Sequence, residues 1–335
     1  MPIRQNPLIS IIIPVRNGAL FLKECLDSII NQSIEQWEVC ITDDHSTDLT
    51  PSTLKTYARQ DQRIKVYLNK GKGIIDALRT GYRYAKGDYV TRMDADDIMS
   101  PNKLELMVSA LTDKQKSVAI GMVEYFRNDR PIGEGYERYA AWLNGLTLEG
   151  RNFDEIYKEC SIPSPCWMMS RSDFESVDGF NSDIYPEDYD FAFRLALNNT
   201  RIVPVPTVVH LWRDHSDRAS RNDPNYLDNR FLDIKVHYFL KLHRQTQLPL
   251  VIWGAGKKGK YLARKFKEVG IHFKWVTDNP KKLNALIYGI QLELDTSLEF
   301  DKKSQVIIAV AATEAQVAIS EFTKSAEFHE FFWFC

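Results

Sequence analysis

Gly87-Asp88-Tyr89-Val90-Thr91-Arg92-Met93-Asp94-Ala95-Asp96-Asp97 is the stretch on which the fold turns. Its apolar run, Tyr89 to Thr91, reads as a strand. Three carboxylates within four residues follow, and Ile98-Met99-Ser100-Pro101 then makes a turn into a helix. Carboxylates this dense repel one another and resist desolvation. A hard divalent cation relieves both problems, because it takes carboxylate oxygens and shares its other positions with substrate phosphates. A lone Asp-x-Asp would more often be a solvated acidic turn capping the next helix. The surrounding sequence decides between the two.

Leu8-Ile9-Ser10-Ile11-Ile12-Ile13 is a nearly continuous β-branched run, as expected of a parallel strand buried on both faces. Pro14-Val15-Arg16-Asn17-Gly18 is turn chemistry, and Leu22, Leu26, Ile29 and Ile30 recur at helical spacing. Trp37 to Ile41 is a second strand, followed by Asp43-Asp44 and by Ser46, Thr47 and Asp48, any of which can cap a helix beginning near Pro51. Ile64 to Leu68 is a third strand and Ile74 to Ala85 a helix. This alternation predicts a parallel α/β sheet, whose ligands bind at the carboxyl ends of the strands. Pro14 to Asn17, Asp43-Asp44 and Asp94 to Asp97 all fall at those ends. The middle third is less regular: 128–152 reads as a long loop with some helix, Cys166 to Ser170 as a strand and Val203 to Leu211 as another. A helix opens at Tyr185-Pro186-Glu187-Asp188, and helical periodicity returns from Leu227 to Leu242.

The chain has 335 residues, enough for two domains. With 45 acidic and 43 basic residues its net charge is −2, which leaves no nucleic-acid footprint. Five scattered cysteines without a Cys-x-x-Cys pair fit reduced thiols, and no stretch approaches the ~20 apolar residues of a membrane span. The expectation is a cytoplasmic protein, at most peripheral at the inner face of the membrane.

The three edge clusters suit a nucleotide-activated donor. Asp44 can accept from a base N–H, and Pro14, Arg16 and Asn17 can flank base or ribose. Asp94 and Asp96 can hold ribose and a metal that bridges a diphosphate. Lys70, Lys72 and Arg79 can add positive charge, although each is as readily plain surface charge. Asp188, with Glu187 as a supporting acceptor, can take the proton from an attacking hydroxyl; a bare Glu-Asp at a helix start would otherwise be a dipole partner. His215, beyond the strand ending near Leu211, can give an imidazole nitrogen to the metal, which suits Mn²⁺ better than Mg²⁺. His210 is the weaker candidate.

On these residues the chain resembles a family 2 glycosyltransferase of the glycosyltransferase A fold. The matching elements are Ile11-Ile-Ile-Pro14-Val-Arg16-Asn17, Asp43-Asp44-His-Ser-Thr-Asp48, Gly73-Ile-Ile-Asp-Ala77, Gly87-Asp-Tyr-Val, Arg92-Met-Asp94-Ala-Asp96-Asp97 and Pro186-Glu187-Asp188-Tyr-Asp190, spanning roughly 8–220. Arg16 and Arg79 depart from the family's usual residues. The resemblance implies a mostly parallel mixed sheet flanked by helices. It also implies inverting transfer of a hexosyl or N-acetylhexosaminyl group from a nucleotide diphosphate sugar, with a UDP-sugar favoured, to a saccharide or lipid-linked saccharide, as in cell-surface polysaccharide synthesis. Mg²⁺ or Mn²⁺ would be the cofactor, Asp44 would contact the base, Asp94 the ribose or metal, Asp96 the metal, and Asp188 would be the base.

At Leu248 the pattern restarts. Leu250 to Trp253 is a strand, Gly254-Ala-Gly256-Lys-Lys-Gly259 opens a helix, and Asp278 falls where a ribose-binding acid would. The expected division is a transferase domain over 1–245 (donor half 1–100, acceptor half 101–220, helical segment 226–245) and a small Rossmann-like domain over 246–335. The glycine loop is open to a second nucleotide site, whether of an NAD(P)-dependent oxidoreductase or of a nucleotide-binding regulatory protein. A structural or partner-docking role, with the glycines there for close packing alone, suits it better. The aromatic terminus from Phe328 to Phe334 reads as a buried closing strand; exposed, it would be a membrane or protein contact.

Overall fold

The computed structural model describes residues 7–216, 218, 231–294, 303–326 and 329–335. The polar segment 219–230, the start of the helix expected at Leu227, and Phe328 lie outside the described residues. The chain divides into two compact units, one made of 1–154 with 160–218 and the other of 155–159 with the described residues beyond 218.

In the first unit β1 (Ile9–Val15), β2 (Trp37–Asp43), β3 (Ile64–Leu68) and β4 (Tyr89–Arg92) alternate with α1 (Leu22–Ile30), α2 (Thr50–Gln60) and α3 (Ile74–Tyr84). β5 (Ile98–Met99), α4 (Lys103–Leu111), β6 (Ser117–Phe126), α5 (Glu134–Glu149), β7 (Trp167–Ser170), α6 (Arg171–Ser176), α7 (Glu187–Leu197) and β8 (Arg201–Arg213) follow. The sheet order is β3-β2-β1-β4-β7-β6-β8-β5. β1 is parallel to both β2 and β4, with Val15 beside Asp43 and Ile12 beside Arg92, so the acidic clusters after β2 and β4 flank the turn after β1. β7 pairs antiparallel with β4 and β6, which makes the sheet mixed. Every residue of β2 is buried, as are Ile9 and Ile11 to Ile13, which explains the apolar runs without alternation.

Two stretches differ from their sequence reading. The segment read as a long loop with some helix is mostly helix, the 16-residue α5. Gly135 and Gly145 lower its intrinsic propensity, but Ala140 and Leu143 are buried, and Asn144 fills the missing backbone partners of Val123, accepting from its N–H and donating to its C=O, both at 2.9 Å. Packing on β6 outweighs propensity. The turn after Asp97 contains β5, two residues held antiparallel to β8.

The second unit runs α8 (Phe231–Leu242), β9 (Leu250–Trp253), α9 (Lys257–Glu268), β10 (Lys274–Thr277), β11 (Leu286–Ile287), β12 (Ile290–Leu294), β13 (Gln305–Ile308), α10 (Thr313–Ser325) and β14 (Glu330–Trp333). Its sheet order is β11-β12-β10-β9-β13-β14, parallel except for the β11–β12 hairpin. α8 belongs here and not to the first unit, because Phe239 packs edge-on against Phe332 and Phe266. The closing strand pairs with β13, and Phe334 beyond it is fully buried.

Gly87, at the start of β4, has no room for a side chain: a Cβ would lie 2.5 Å from the Ser10 nitrogen and 2.8 Å from the Leu8 carbonyl oxygen. Its N–H donates to Ser10 Oγ at 2.8 Å, and that hydroxyl donates to buried Glu38. Gly87→Ala should therefore lower stability by about 1–3 kcal/mol through overpacking, read as a lower urea midpoint with unchanged slope.

Candidate active site

Asp44 stands just past β2, buried, with its N–H donating to the Val15 carbonyl at 2.8 Å. Asn69 donates to its Oδ1 at 2.7 Å and the Gly73 N–H to its Oδ2 at 3.0 Å. Gly73 reaches this position with φ at +90°, a conformation that suits glycine. Across the cleft edge, Asn17 Oδ1 accepts from the Thr47 N–H at 2.9 Å and the Asn17 N–H donates to Ser46 Oγ at 2.8 Å, tying the turn after β1 to the turn after β2. Pro14 is partly exposed, and Arg16, Lys70 and Lys72 are exposed.

Past β4 the acids separate into three environments. Asp94 accepts from Arg92 Nε at 3.0 Å. Asp96 Oδ2 lies 2.9 Å from His215 Nε2. Burial pushes the Asp96 carboxyl up, but the His215 hydrogen bond and the Arg218 charge outweigh it and hold it below the ordinary range. Asp97 is buried beneath them, accepting from the Arg213 N–H at 2.8 Å and bonded to His210 Nε2 at 2.9 Å. Burial, then the charges of Asp96 and Asp94, push its carboxyl well up, while burial pushes the His210 imidazole well down. Asp97 and His210 thus form a structural pair behind the site.

Buried cations face this acid cluster. Lys103, fully buried in α4, donates to the Pro165 carbonyl at 2.5 Å and interacts electrostatically with Asp94 and Asp97. Arg213 donates to the Asp96 carbonyl at 2.7 Å and to Glu24 at 2.7 Å. Arg218 lies over the Trp212 ring, 4.6 Å from its centroid, and its charge acts on Asp96, Asp97 and Asp94.

Glu187 and Asp188 open α7. Glu187 Oε1 accepts from Arg92 Nη1 at 2.8 Å, so one buried guanidinium bridges Asp94 and Glu187. Asp188 is partly exposed, and its Oδ1 accepts from the Tyr189 N–H at 2.7 Å. Burial first, then the Glu187 charge, push its carboxyl up to about 7 against the pull of Arg92. A carboxylate so raised suits proton abstraction near neutral pH. Arg79 turns elsewhere: it donates to the Phe180 and Asn181 carbonyls at 2.9 and 2.5 Å and to Asp183 at 2.6 Å, so its guanidinium is committed to the segment ahead of α7.

Among the described residues, no group of three or more His, Cys, Asp and Glu side chains surrounds a common point. Two protein ligands suffice where a diphosphate supplies others. Adjacent ligands each about 2.1 Å from an octahedral ion are about 3.0 Å apart, and the Asp96–His215 separation of 2.9 Å fits such a pair. The donor set, one carboxylate and one imidazole, suits Mn²⁺ better than Mg²⁺.

The structure pairs Asp96 with His215, and Arg92 bridges Asp94 to Glu187. Arg92, Lys103, Arg213 and Arg218 escaped the sequence reading. Their one sequence signal was excess acid needing counter-charge. In the second unit, a Cβ on Gly259 would lie 1.9 Å from the Gly254 carbonyl oxygen, and one on Gly254 3.0 Å from the Ala309 backbone. Packing alone requires both glycines; Gly256 faces open space, and Asp278 is exposed beyond β10.

The sheet and its acidic edge define a glycosyltransferase with a glycosyltransferase A-like fold. Residues 10–178 match the family described as Glycosyl transferase family 2, and the chain belongs to that family. It is 36% identical over 252 residues to an uncharacterized glycosyltransferase of Haemophilus influenzae, covering 69% of this chain and 77% of that one. It is 30% identical over 251 residues to a chondroitin synthase of Pasteurella multocida, covering 72% of this chain but 24% of the synthase, so it spans about a quarter of that protein. Among solved structures, S. aureus TarS 1–349 in complex with UDP-GlcNAc superposes with a TM-score of 0.55 at 18% identity, over 71% of this chain and 68% of that one. No helix among the described residues is long and apolar enough to cross a membrane.

Asp97→Ala should leave His210 and the Arg213 N–H unpaired in a buried site, at a cost of about 1–3 kcal/mol for each unsatisfied group. Asp97→Asn, which keeps an acceptor and adds a donor, should cost less. Urea unfolding of the two variants measures the difference.

Proposed function

We propose that the protein is an inverting glycosyltransferase that moves a sugar from a UDP-sugar to an acceptor hydroxyl, with Asp188 as general base. The observation that carries this reading is the partly exposed Asp188 carboxyl, raised to about 7, at the start of a helix tied through Arg92 to Asp94. In this reading Asp44 accepts from the base, with Pro14, Arg16 and Asn17 beside it. Asp94 takes the ribose, and Asp96 and His215 hold Mg²⁺ or Mn²⁺. When bound, the cation neutralises charge growing on the leaving diphosphate. Asp188 Oδ2 takes the acceptor proton as the oxygen bonds to the anomeric carbon, and the carbon–oxygen bond to the diphosphate breaks with its electron pair leaving on the diphosphate. A single base and a single displacement invert the anomeric configuration. The acceptor is a saccharide, free or lipid-linked, and synthesis of a surface polysaccharide is the role that fits. Fold similarity to TarS with UDP-GlcNAc bound supports a UDP-sugar, and the chondroitin synthase relationship supports the polysaccharide role.

The test is a screen of nucleotide sugars for release of nucleoside diphosphate, with and without Mn²⁺. Asp188→Asn should lower the transfer rate ~10²–10⁴-fold with UDP binding retained. Asp96→Ala should abolish stimulation by Mn²⁺; stimulation equal to wild type would remove Asp96 from the metal. Because the base must be ionised, kcat/KM should be flat above about pH 7 and fall tenfold per unit below it. A pH series with Asp188→Asn as control reads this limb. A product that retains the donor's anomeric configuration would rule out the single displacement.

A further inference from the structure

Residues 181–186 have no regular secondary structure, yet they lead directly into the helix that carries Asp188. Two arginines grip this segment at its ends. At the near end Arg79, from α3, donates Nε to the Phe180 carbonyl at 2.9 Å and Nη2 to the Asn181 carbonyl at 2.5 Å and to Asp183 at 2.6 Å. At the far end Arg92, from β4, donates Nη1 to Glu187 at 2.8 Å. Both arginines sit on donor-side elements of the parallel half-sheet, and both sets of acceptors lie on the acceptor side. Between the ties, Ile75 and Leu78 of α3 and Phe180, Ser182 and Glu187 line a pocket. Polar ties act here beside apolar packing, since Phe180 also meets Phe174 edge-on with ring centroids 4.9 Å apart.

We propose that Arg79 and Arg92 are positioning residues that fasten segment 180–187 to the donor side of the sheet and so set where Asp188 stands. The inference rests on the reading of Asp188 as the base. The geometry requires arginine. Arg79 serves two carbonyl oxygens and a carboxylate from the edges of one planar group, and Arg92 spans two carboxylates from opposite edges. Lysine offers a compact charge without that fork. The acceptors of Arg79 are chiefly backbone oxygens, so the tie fixes the course of the chain itself. A displacement of about 1 Å at a catalytic group can lower a rate ~10²-fold.

The test uses the full-length protein with Arg79→Gln, Arg79→Lys and Arg92→Gln. The first readout needs no substrate: amide hydrogen exchange should quicken at 180–188 in all three variants and stay at wild-type rates in α1 and α2. The second is UDP release from a panel of UDP-hexoses and UDP-N-acetylhexosamines, where kcat should fall roughly 10–10²-fold. Both Arg79 variants should keep wild-type affinity for UDP with Mn²⁺, measured by calorimetry, and lysine should not restore the rate. Arg92→Gln should also move the acidic limb of kcat/KM to higher pH. Asp188 would then face Glu187 and Asp94 without the cation, keeping the Tyr189 N–H.

Wild-type exchange at 180–188 together with wild-type kcat would overturn the proposal. So would loosening of the whole chain in Arg79→Lys, which keeps the charge at a partly exposed position. Full activity in Asp188→Asn would instead refute the assignment of the base, and the exchange data would still report whether the two arginines hold the segment.

Discussion

Like charge gathered at one sheet edge is the constraint around which the first unit is built. Two unit charges 4 Å apart interact by about 4 kcal/mol at an effective dielectric of 20, a sizeable part of the about 5–15 kcal/mol that holds a domain folded. Asp94, Asp96 and Asp97 act on one another, and Asp188 feels Glu187 and Asp94. Cations from separate elements surround these acids: Arg92 comes from the end of β4, Lys103 from α4, Arg213 from β8 and Arg218 from the residues after it. β8 lies beyond β7 and β6 in the sheet, yet β5 pairs with it directly after Asp97. That two-residue pairing brings the cations of the chain's later part over the acids of its earlier part.

The parallel half of the sheet was legible because burial on both faces leaves an unmistakable composition. No polar residue interrupts Ile11 to Ile13, and turn residues follow each strand at the edge where ligands bind. That the turns after β2 and β4 flank the turn after β1 followed from that topology. α5 was legible only as some helix within a loop, since Gly135 and Gly145 argue against a long helix and the compensating contacts come from β6, a separate element outside the helix's own sequence. β5 is too short to have a pattern of its own. At the site, the acids showed and their counter-charges did not. Acidic residues crowd within a few positions of one another, whereas the cations that balance them are single residues dispersed from β4 to the residues past β8. Asp97 reads in sequence as a helix-entry or supporting residue rather than a ligand, and its burial against His210 and the Arg213 N–H gives it a place of its own.

In the second unit, glycine spacing and ligand binding come apart. Gly254-Ala-Gly256-Lys-Lys-Gly259 has the spacing of a dinucleotide-binding turn, but two of its three glycines are demanded by the approach of α9 to β9 and of the turn to Ala309. The motif would look the same with or without a ligand. Gly256, with open space where its Cβ would be, is the position at which the two cases differ.

The match to the family ends at residue 178, ahead of Phe180. The residues before that point build the sheet edge. Beyond it come the segment gripped by Arg79 and Arg92, the helix opening with Glu187-Asp188, and β8. The sheet edge and the helix that carries Asp188 need a mechanical connection between them. Backbone carbonyls held by a guanidinium meet that need, because the carbonyls persist whatever side chains the segment carries. Arg79 binds Phe180 and Asn181 in this way, so that part of the tie is independent of the side chain at Asn181, while Asp183 and Glu187 add their carboxylates to it.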